Sequence, residues 1–270
     1  MDLRQNSGCA VNRWFLSSFF LIFGLVALFL LLLIAGLVSY SSLADFRGVW
    51  QQEEFRFALL FTLWTSLLAT GLAAGAALPC GYILARYRLP GRLLFDTLID
   101  MPIVLPPLVS GIALLIFFGP FLGDALAAAG LRVVFTPAGV VIAQWFVALP
   151  FAIKMFKQSF QFVDPRMEKV ARTLGFSPFQ VFLQVTLPLA KKGILGGIMM
   201  TWARAMGEFG ATAMLAGITR LKTETMSVAI FLNMSIGDIP FAISTSIVML
   251  FMALVLLALL KTIFRSEVRV

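Results

Sequence analysis

Long apolar runs, separated by short polar segments, dominate the pattern of residues along this chain. Six runs are long enough to cross a bilayer, whose hydrocarbon core of about 30 Å requires roughly 20 helical residues. They cover approximately residues 14–38, 57–85, 99–119, 138–160, 188–214 and 241–263. None has the alternating pattern of a membrane β-strand, so each predicts a helix that satisfies its own backbone hydrogen bonds in lipid.

The first apolar run is too long for a secretory signal peptide, whose apolar region has about 7–15 residues. We interpret it as an uncleaved first span, and the expected fold class is an all-α membrane protein with six transmembrane helices. The predicted organisation is a cytoplasmic N-terminal segment (1–13), a first span with its outer loop (14–50), a core of five spans (51–264) and a cytoplasmic tail (265–270).

The distribution of lysine and arginine orients these helices. If the N-terminus is cytoplasmic, 15 such residues fall in inner segments and 5 in outer loops, and Arg204 lies within a span. Inner segments of membrane proteins carry this excess of positive charge, so both termini are predicted to be cytoplasmic. The net charge of +8 is therefore a topology signal, and it does not indicate a nucleic-acid partner.

Composition supports lipid as the solvent and excludes several functions. The chain is 60% hydrophobic and 13% charged, whereas a soluble domain is about half apolar and a quarter charged. It has no histidine, and Cys9 and Cys80 are too far apart to indicate a disulfide framework or a metal motif. No Gly-rich loop ending in Gly-Lys-Ser/Thr is present, so the chain is not its own ATPase. The chain also has no metal-ligand set and no Gly-x-Ser-x-Gly turn, so its sequence does not indicate a membrane enzyme.

The longest polar interruption, residues 164–188, lies on the cytoplasmic side and has the features of a helical hairpin. Asp164 and Pro165 suit the N-cap and the first position of a helix, and Gly175 suits its end. Ser177 followed by Pro178 predicts a second helix start. The first helix has one apolar face, formed by Met167, Val170, Ala171 and Leu174. Such a face on a surface loop requires a partner or the protein itself to cover it.

The same segment resembles the EAA loop of ABC importer permeases. Lys169-Val170-Ala171 stands at the Glu-Ala-Ala triplet, and Gly175 is at the glycine position. Val185 stands at the isoleucine, and Leu187-Pro188 ends the pattern at the correct spacing, although Lys169 and Val170 depart from the triplet. The resemblance implies a coupling helix that docks in a groove of the ATPase subunit. The implied interface residues are Glu168, Lys169, Val170, Ala171, Leu174, Gly175 and Phe176. The alternative is a plain amphipathic surface helix.

The fifth run contains the charged pair Arg204 and Glu208, four residues apart and so on one face of a helix. The stretch Ala203 to Ala211 resembles the Ala-Arg-x-x-Gly-Glu-Phe-Gly-Ala signature of permeases for molybdate, tungstate and sulfate or thiosulfate. Charge within a membrane is costly and marks function or packing. Two interpretations stay open: an ion pair that fixes helix packing, or an arginine that helps an anion across while Glu208 holds it in place.

Further candidates for a translocation path lie in the third and fifth runs. Pro102, Pro106 and Pro107 crowd the third run, where they are either ordinary kinks or part of a pathway lining. Thr201 and Thr212 flank the charged pair, and their hydroxyls are able to donate hydrogen bonds to an anion.

Taken with these motifs, the resemblance implies the non-catalytic permease of an ATP-driven importer for molybdate or tungstate, with a type I ABC importer fold. The implied partners are a second copy of the chain, two ATPase subunits that use ATP and Mg²⁺, an oxyanion-binding protein outside the membrane, and lipid. The chain itself is expected to bind no cofactor and no metal, and to lie in the cytoplasmic (inner) membrane. A sulfate or thiosulfate permease is the alternative. A more distant one is an ion-coupled secondary transporter, which usually shows an internal repeat that is not evident here.

Overall fold

The structure, a computed structural model, describes residues 13–40 and 42–265, and within them all regular structure is helical. Most of the predicted terminal segments, with Arg4, Cys9 and Arg269, lies outside the described residues. The helices are α1 (Arg13–Ser39), α2 (Leu43–Gln51), α3 (Glu53–Arg86), α4 (Arg92–Val104), α5 (Pro107–Ile116), α6 (Gly123–Ala128), α7 (Pro137–Gln161), α8 (Pro165–Thr173), α9 (Pro178–Val181), α10 (Leu187–Met206), α11 (Gly210–Leu215), α12 (Met226–Ile236) and α13 (Ile239–Arg265). Wider π-helical turns follow α5 at Phe117–Phe121 and join α9 to α10 at Phe182–Thr186.

Five of the six predicted spans are single long helices in the described part of the chain. They are Leu16–Ser39, Glu53–Arg86, Pro137–Gln161, Pro178–Met206 and Ile239–Thr262. The remaining predicted span, the third along the chain, is a pair of helices, Arg92–Val104 and Pro107–Phe121, which are bent by 111° relative to each other. The apolar segment predicted at 99–119 is therefore present, but as two helices interrupted near its prolines.

The break in the third region has a clear cause in its prolines. Leu105 and Pro106 both adopt extended backbone, with ψ of 136°, between the end of α4 and the start of α5. A proline disfavours helical backbone in the residue before it, and two successive prolines impose this on both residues. Pro107 then occupies the first position of α5, where its missing N–H costs nothing.

The fifth span begins and ends earlier than the predicted 188–214. It starts at Pro178 because Ser177 and Gln180 form a reciprocal capping box, and the helix continues through the π-helical turn into α10. It ends at Met206, and Gly207 to Phe209 separate it from α11. The apolar run therefore contains two helices.

The centre of the bundle is the packing of α3 and α10 against α7. Phe156 and Phe160 on α7 are fully buried, and they pack with Ala73 and Ala77 of α3 and Ile194 of α10. Small residues on α3 permit this approach because they leave room for the two rings. These three packed helices carry both the cytoplasmic hairpin and the charged pair of the fifth span.

Close approach of α10 to α7 depends on a glycine. A Cβ at Gly197 would lie 2.9 Å from Cβ of Met155, and a Cβ at Gly193, four residues earlier, would lie 2.9 Å from Cβ of Ser159. The similar spacing at Gly71 and Gly75 faces open space, because a Cβ added at either position would have no heavy atom within 4 Å. No close contact within the described part of this chain therefore uses that second pair.

Helix α1 stands apart from this bundle. None of the window that identifies it as a span is buried, and its few neighbours are on α13. Twenty-four apolar or small residues suffice to cross the hydrocarbon layer. The packing of α1 in the single chain therefore contributes little to the stability of the core.

Candidate functional site

The sequence-predicted residues fall in two places, one within the membrane at the end of α10 and one on the cytoplasmic side at α8. At the first, Glu208 lies just beyond the end of α10, in the turn before α11. Its Oε1 accepts a hydrogen bond of 2.8 Å from the backbone N–H of Ala211. The first N–H groups of a helix have no partner within the helix, so this carboxylate stabilises the start of α11.

The second oxygen of Glu208 pairs with Arg204. The distance from Arg204 Nη1 to Glu208 Oε2 is 2.7 Å, and the side chain of Glu208 is 1% exposed whereas that of Arg204 is 29% exposed. The predicted pairing of the two residues is confirmed, but Glu208 lies beyond the end of α10 and so does not share a helix face with Arg204 as predicted. The pair is asymmetric: the carboxylate is enclosed, and the guanidinium, which has five N–H donors, retains an open side.

The broken third region lies directly against this turn. A Cβ at Gly210 would come within 2.7 Å of Cβ of Pro107, and 3.2–3.3 Å from backbone atoms of Pro107 and Leu108. Two interrupted helices thus meet at their interruptions. This arrangement places Pro107, with its neighbour Pro106, beside the start of α11, while Pro102 lies about one turn earlier within α4.

The two candidate threonines are enclosed in the single chain. Thr201 is fully buried, and its hydroxyl donates to the carbonyl of Gly197, 2.7 Å away, within α10. Thr212 is also fully buried, and its hydroxyl has no hydrogen-bond partner among the described residues. Their assignment to a path stays a prediction, and of the candidates in α10 and α11 only Arg204 presents a polar group outward.

The cytoplasmic hairpin has the local structure that its sequence predicts. Asp164 caps α8 by accepting the N–H of Arg166, 2.8 Å from its Oδ1. Gly175 has φ of +93°, a backbone conformation that glycine adopts without the steric cost of a side chain. The chain therefore turns at Gly175 and starts again at the Ser177 cap.

The predicted interface residues divide between two faces of α8 and the following turn. Val170 is 58% exposed and Leu174 is 73% exposed, and Lys169 and Phe176 also lie on the outside. Ala171, in contrast, is buried. The outward set forms an apolar surface with one positive charge, so α8 presents a surface that a protein partner can cover.

The side chain of Glu168 points into the protein rather than outward. Its Oε1 accepts hydrogen bonds from Arg86 Nε at 2.9 Å and from Thr186 Oγ1 at 2.8 Å. Arg86 and Thr186 were not identified as functional residues from the sequence, where Arg86 counts only as an inner positive charge. No local pattern indicates a contact between residues 82 positions apart.

Two further ion pairs fasten α4 to α7, and sequence reasoning missed both. Lys157 Nζ lies 2.9 Å from Asp96 Oδ1, and Lys154 Nζ lies 2.9 Å from Asp100 Oδ1. Helix α4 has no buried residue, and besides these pairs its partly buried Ile99 packs against the apolar cluster that includes Ile153 of α7. The sequence does contain a signal for these ion pairs. The two aspartates are four residues apart on α4 and the two lysines three apart on α7, so each set lies on one helix face with charge opposite to that of the other.

A buried carboxyl occurs outside the spans, in the segment that joins α11 to α12. Glu224 is fully buried, its Oε2 accepts the N–H of Leu221 at 3.0 Å, and its Oε1 has no hydrogen-bond partner among the described residues. Burial raises the pKa of Glu224, while the Leu221 N–H and the charge of Arg220 oppose that shift. Across the described residues, no group of three His, Cys, Asp or Glu side chains is placed to hold a metal ion.

Comparisons with known proteins agree with these features. Residues 77–268 match the family described as binding-protein-dependent transport system inner membrane component. The sulfate transport system permease protein CysT of Salmonella typhimurium is 33% identical over 243 residues, 88% of each chain. The molybdenum transport system permease protein ModB of Mycobacterium tuberculosis is 38% identical over 224 residues, 80% of this chain and 84% of the relative.

A third relative and a solved structure extend the comparison. A probable molybdenum ABC transporter permease protein of Haloferax volcanii is 41% identical over 197 residues, 73% of this chain and 72% of the relative. A crystal structure of a bacterial alginate ABC transporter, in complex with a pentasaccharide-bound periplasmic protein, contains a chain with a TM-score of 0.74. That match covers 95% of this chain and 96% of the other at 18% identity, so it concerns the fold alone.

Proposed function

The chain belongs to the family of binding-protein-dependent transport system inner membrane components, and we propose that within this family it carries a tetrahedral oxyanion, molybdate or tungstate, into the cell. It is a multi-pass, non-catalytic permease subunit of an ABC importer in the inner membrane, and a separate subunit hydrolyses ATP. The choice of anion, the number of copies and the residues of the path are the parts that we propose.

The observation that carries the anion assignment is the geometry at Arg204. Its guanidinium lies in a membrane-spanning helix, is partly exposed, and pairs with a Glu208 carboxylate whose other oxygen is held by a backbone N–H. Glu208 therefore orients the arginine and balances its charge when no solute is present. A dianion that enters a region of low dielectric constant needs compensating positive charge or donor groups, and Arg204 offers both.

Relatives support molybdate over sulfate. The two molybdenum permeases are 38% and 41% identical to this chain, whereas the sulfate permease of Salmonella typhimurium is 33% identical. Sulfate stays the second candidate because that relative matches a larger share of the chain, 88%. Both anions are tetrahedral and doubly charged, so the Arg204 geometry serves either.

We propose that the outward surface of α8 docks into a groove of the ATPase. Its exposed Val170 and Leu174 are suited to helix-in-groove recognition, in which apolar side chains on one helix face enter a hydrophobic groove. A homodimer of the permease supplies two such helices, one for each ATPase subunit. Rocking of the two copies then opens the path to either side in turn.

The proposed substrate is tested by reconstitution. The permease, its ATPase and its binding protein are placed in proteoliposomes, and uptake of radiolabelled molybdate is measured with ATP inside and outside in separate samples. We expect uptake only when ATP is on the side of α8, with tungstate as a strong competitor and sulfate as a weak one. Transport of sulfate at equal or higher rate than molybdate would contradict the assignment in favour of the sulfate alternative.

A further inference from the structure

Glu168 is a meeting point of three parts of the fold. It lies on α8, and its Oε1 accepts from Arg86 at the end of α3 and from Thr186 at the turn that leads into α10. The side chains of Glu168 and Arg86 are 13% and 10% exposed, and Thr186 is fully buried. The carboxylate therefore connects the cytoplasmic hairpin to two membrane-spanning helices.

Arg86 adds a fourth element to this cluster. Its Nη2 donates to the carbonyl of Val163 at 2.9 Å, just beyond the end of α7, while its Nε donates to Glu168. A guanidinium is planar and rigid, so two contacts fix the orientation between the end of α7 and the start of α8. Hydrogen bonds between charged groups are also about twice as strong as neutral ones.

Little else holds α8 to the protein. Within α8, all of which the structure describes, Ala171 is the one buried residue, and Val170 on the outer face is exposed. The apolar contribution of a single alanine is small compared with that of a large buried side chain. The cluster of Arg86, Glu168 and Thr186 is thus the main attachment of the inner face of α8.

We infer that Glu168 is a positioning residue that transmits movement of α8 to α3 and α10, and that it is not a contact of the ATPase. This rests on the proposed function, in which the outer face of α8 docks to the ATPase. The single helix then has two separate tasks on two faces. Val170 and Leu174 bind the partner, and Glu168 conveys the displacement to α3 and to α10, the helix that carries Arg204. Neutralising Glu168 separates hydrolysis from transport and leaves docking intact.

The experiment uses the full complex in proteoliposomes and measures the ratio of molybdate transported to ATP hydrolysed. The variants are Glu168→Gln and Arg86→Gln, and Arg88→Gln is the matched control because Arg88 is exposed two residues away. We expect the ATPase to copurify and its stimulation by loaded binding protein to persist in all variants. Coupling between sites typically amounts to about 5–150-fold, so the ratio falls at least ~5-fold in the first two variants and stays unchanged in the control.

A double variant tests whether the two residues act together. If Arg86 and Glu168 form one connection, Glu168→Gln with Arg86→Gln lowers the ratio no further than either single change. Multiplying effects would overturn the inference, as would a ratio in Glu168→Gln equal to that of the wild type. A monodisperse Glu168→Gln permease that no longer copurifies with the ATPase would also overturn it, because Glu168 would then be a docking contact.

Two further measurements cover the cases in which the main experiment fails. If Glu168→Gln aggregates, Thr186→Val replaces it, because this change removes one hydrogen-bond donor to Glu168 and leaves the ion pair with Arg86. We then expect a smaller fall in the ratio of molybdate to ATP, and a wild-type ratio overturns the inference. If the wild-type complex transports sulfate instead of molybdate, the substrate proposal fails, and the same ratio measured with sulfate still tests the role of Glu168.

Discussion

Pro107 and Gly210 are in contact across two interrupted helices, so closely that a Cβ at Gly210 would lie 2.7 Å from that of the proline. Backbone atoms of Pro107 and Leu108 are only slightly farther, at 3.2 and 3.3 Å, and they cannot rotate away as a side chain does. The relative position of α5 and α11, and with it the turn that holds Glu208, therefore depends on the absence of a side chain at Gly210.

The first prediction concerns this contact. Gly210→Ala should destabilise the permease, since inserting a methyl group into a packed site typically costs about 1–3 kcal/mol. Gly71→Ala is the control, because no heavy atom lies within 4 Å of the added Cβ there. Thermal unfolding of the purified permease measures both. Equal melting temperatures for the two variants would show that the contact is not tight.

The second prediction separates packing from transport at the charged pair. Arg204→Gln or Glu208→Gln leaves a charge without its partner in the membrane, which costs about 3–5 kcal/mol for a buried pair. The double variant should regain stability, and we expect it to remain defective in molybdate uptake because the anion loses its positive counterpart. Thermal stability and uptake are measured on the same preparations. Full uptake by a stable double variant would leave the pair with a packing role alone.

The third prediction concerns the turn after α8. Gly175→Ala places a side chain at φ of +93°, a conformation that costs an L-residue roughly 1–2 kcal/mol. The orientation of Leu174 and Phe176 should change, and the stimulation of ATP hydrolysis by loaded binding protein should fall. Gly48→Ala, within α2 and free of neighbours within 4 Å, is the control. Unchanged stimulation in Gly175→Ala would argue against this surface as the ATPase dock.

The fourth prediction concerns topology. In a background with Cys9 and Cys80 replaced by alanine, a cysteine at Ser42 or Leu131 should react with an impermeant thiol reagent added to intact cells. A cysteine at Ser177 should react only after the cells are opened, because α8 and α9 are cytoplasmic. All three positions are exposed in the single chain. Labelling of Ser177→Cys from outside would reverse the orientation.

The fifth prediction concerns the buried carboxyl of Glu224. Its pKa in the folded protein is raised by burial above the ordinary value of about 4.3, so the folded state binds the proton more tightly. The stability from this group is complete below a pH of about 4.3 and decreases as the pH rises toward the raised pKa. Glu224→Gln removes this term.

We therefore expect the melting temperature of the wild type, relative to Glu224→Gln, to decrease as the pH rises above about 4.3, the ordinary pKa of a glutamate. Glu53→Gln is the matched control, because Glu53 is an exposed acid on the same side of the membrane. A difference that is constant across the pH range, or equal for the two variants, would contradict the prediction.

The parts of the fold that depend on local pattern were predictable. Apolar runs located the spans, the Asp164 and Ser177 caps located the hairpin, and the four-residue spacing placed Arg204 beside Glu208. Each of these features depends on residues within one or two helical turns, where spacing determines geometry.

What could not be predicted depends on packing across long distances. Prolines indicated a disturbance in the third region, but their positions did not predict the bend of 111° between α4 and α5. The apolar run continues past Gly207, so hydropathy alone did not show the end of α10 at Met206. The inward direction of Glu168 follows from Arg86, 82 residues earlier, and the single sequence carries no signal for that contact.

The attachment of α4 has a mechanical consequence. Its contacts with α7 through Asp96 and Asp100 are partly exposed ion pairs, whereas α3 and α10 are joined to α7 by buried apolar side chains. Ions screen exposed charges over about 8 Å at physiological salt but leave apolar contacts largely unaffected. Of these three attachments to α7, that of α4 is therefore the one that responds to the ionic strength of the cytoplasm.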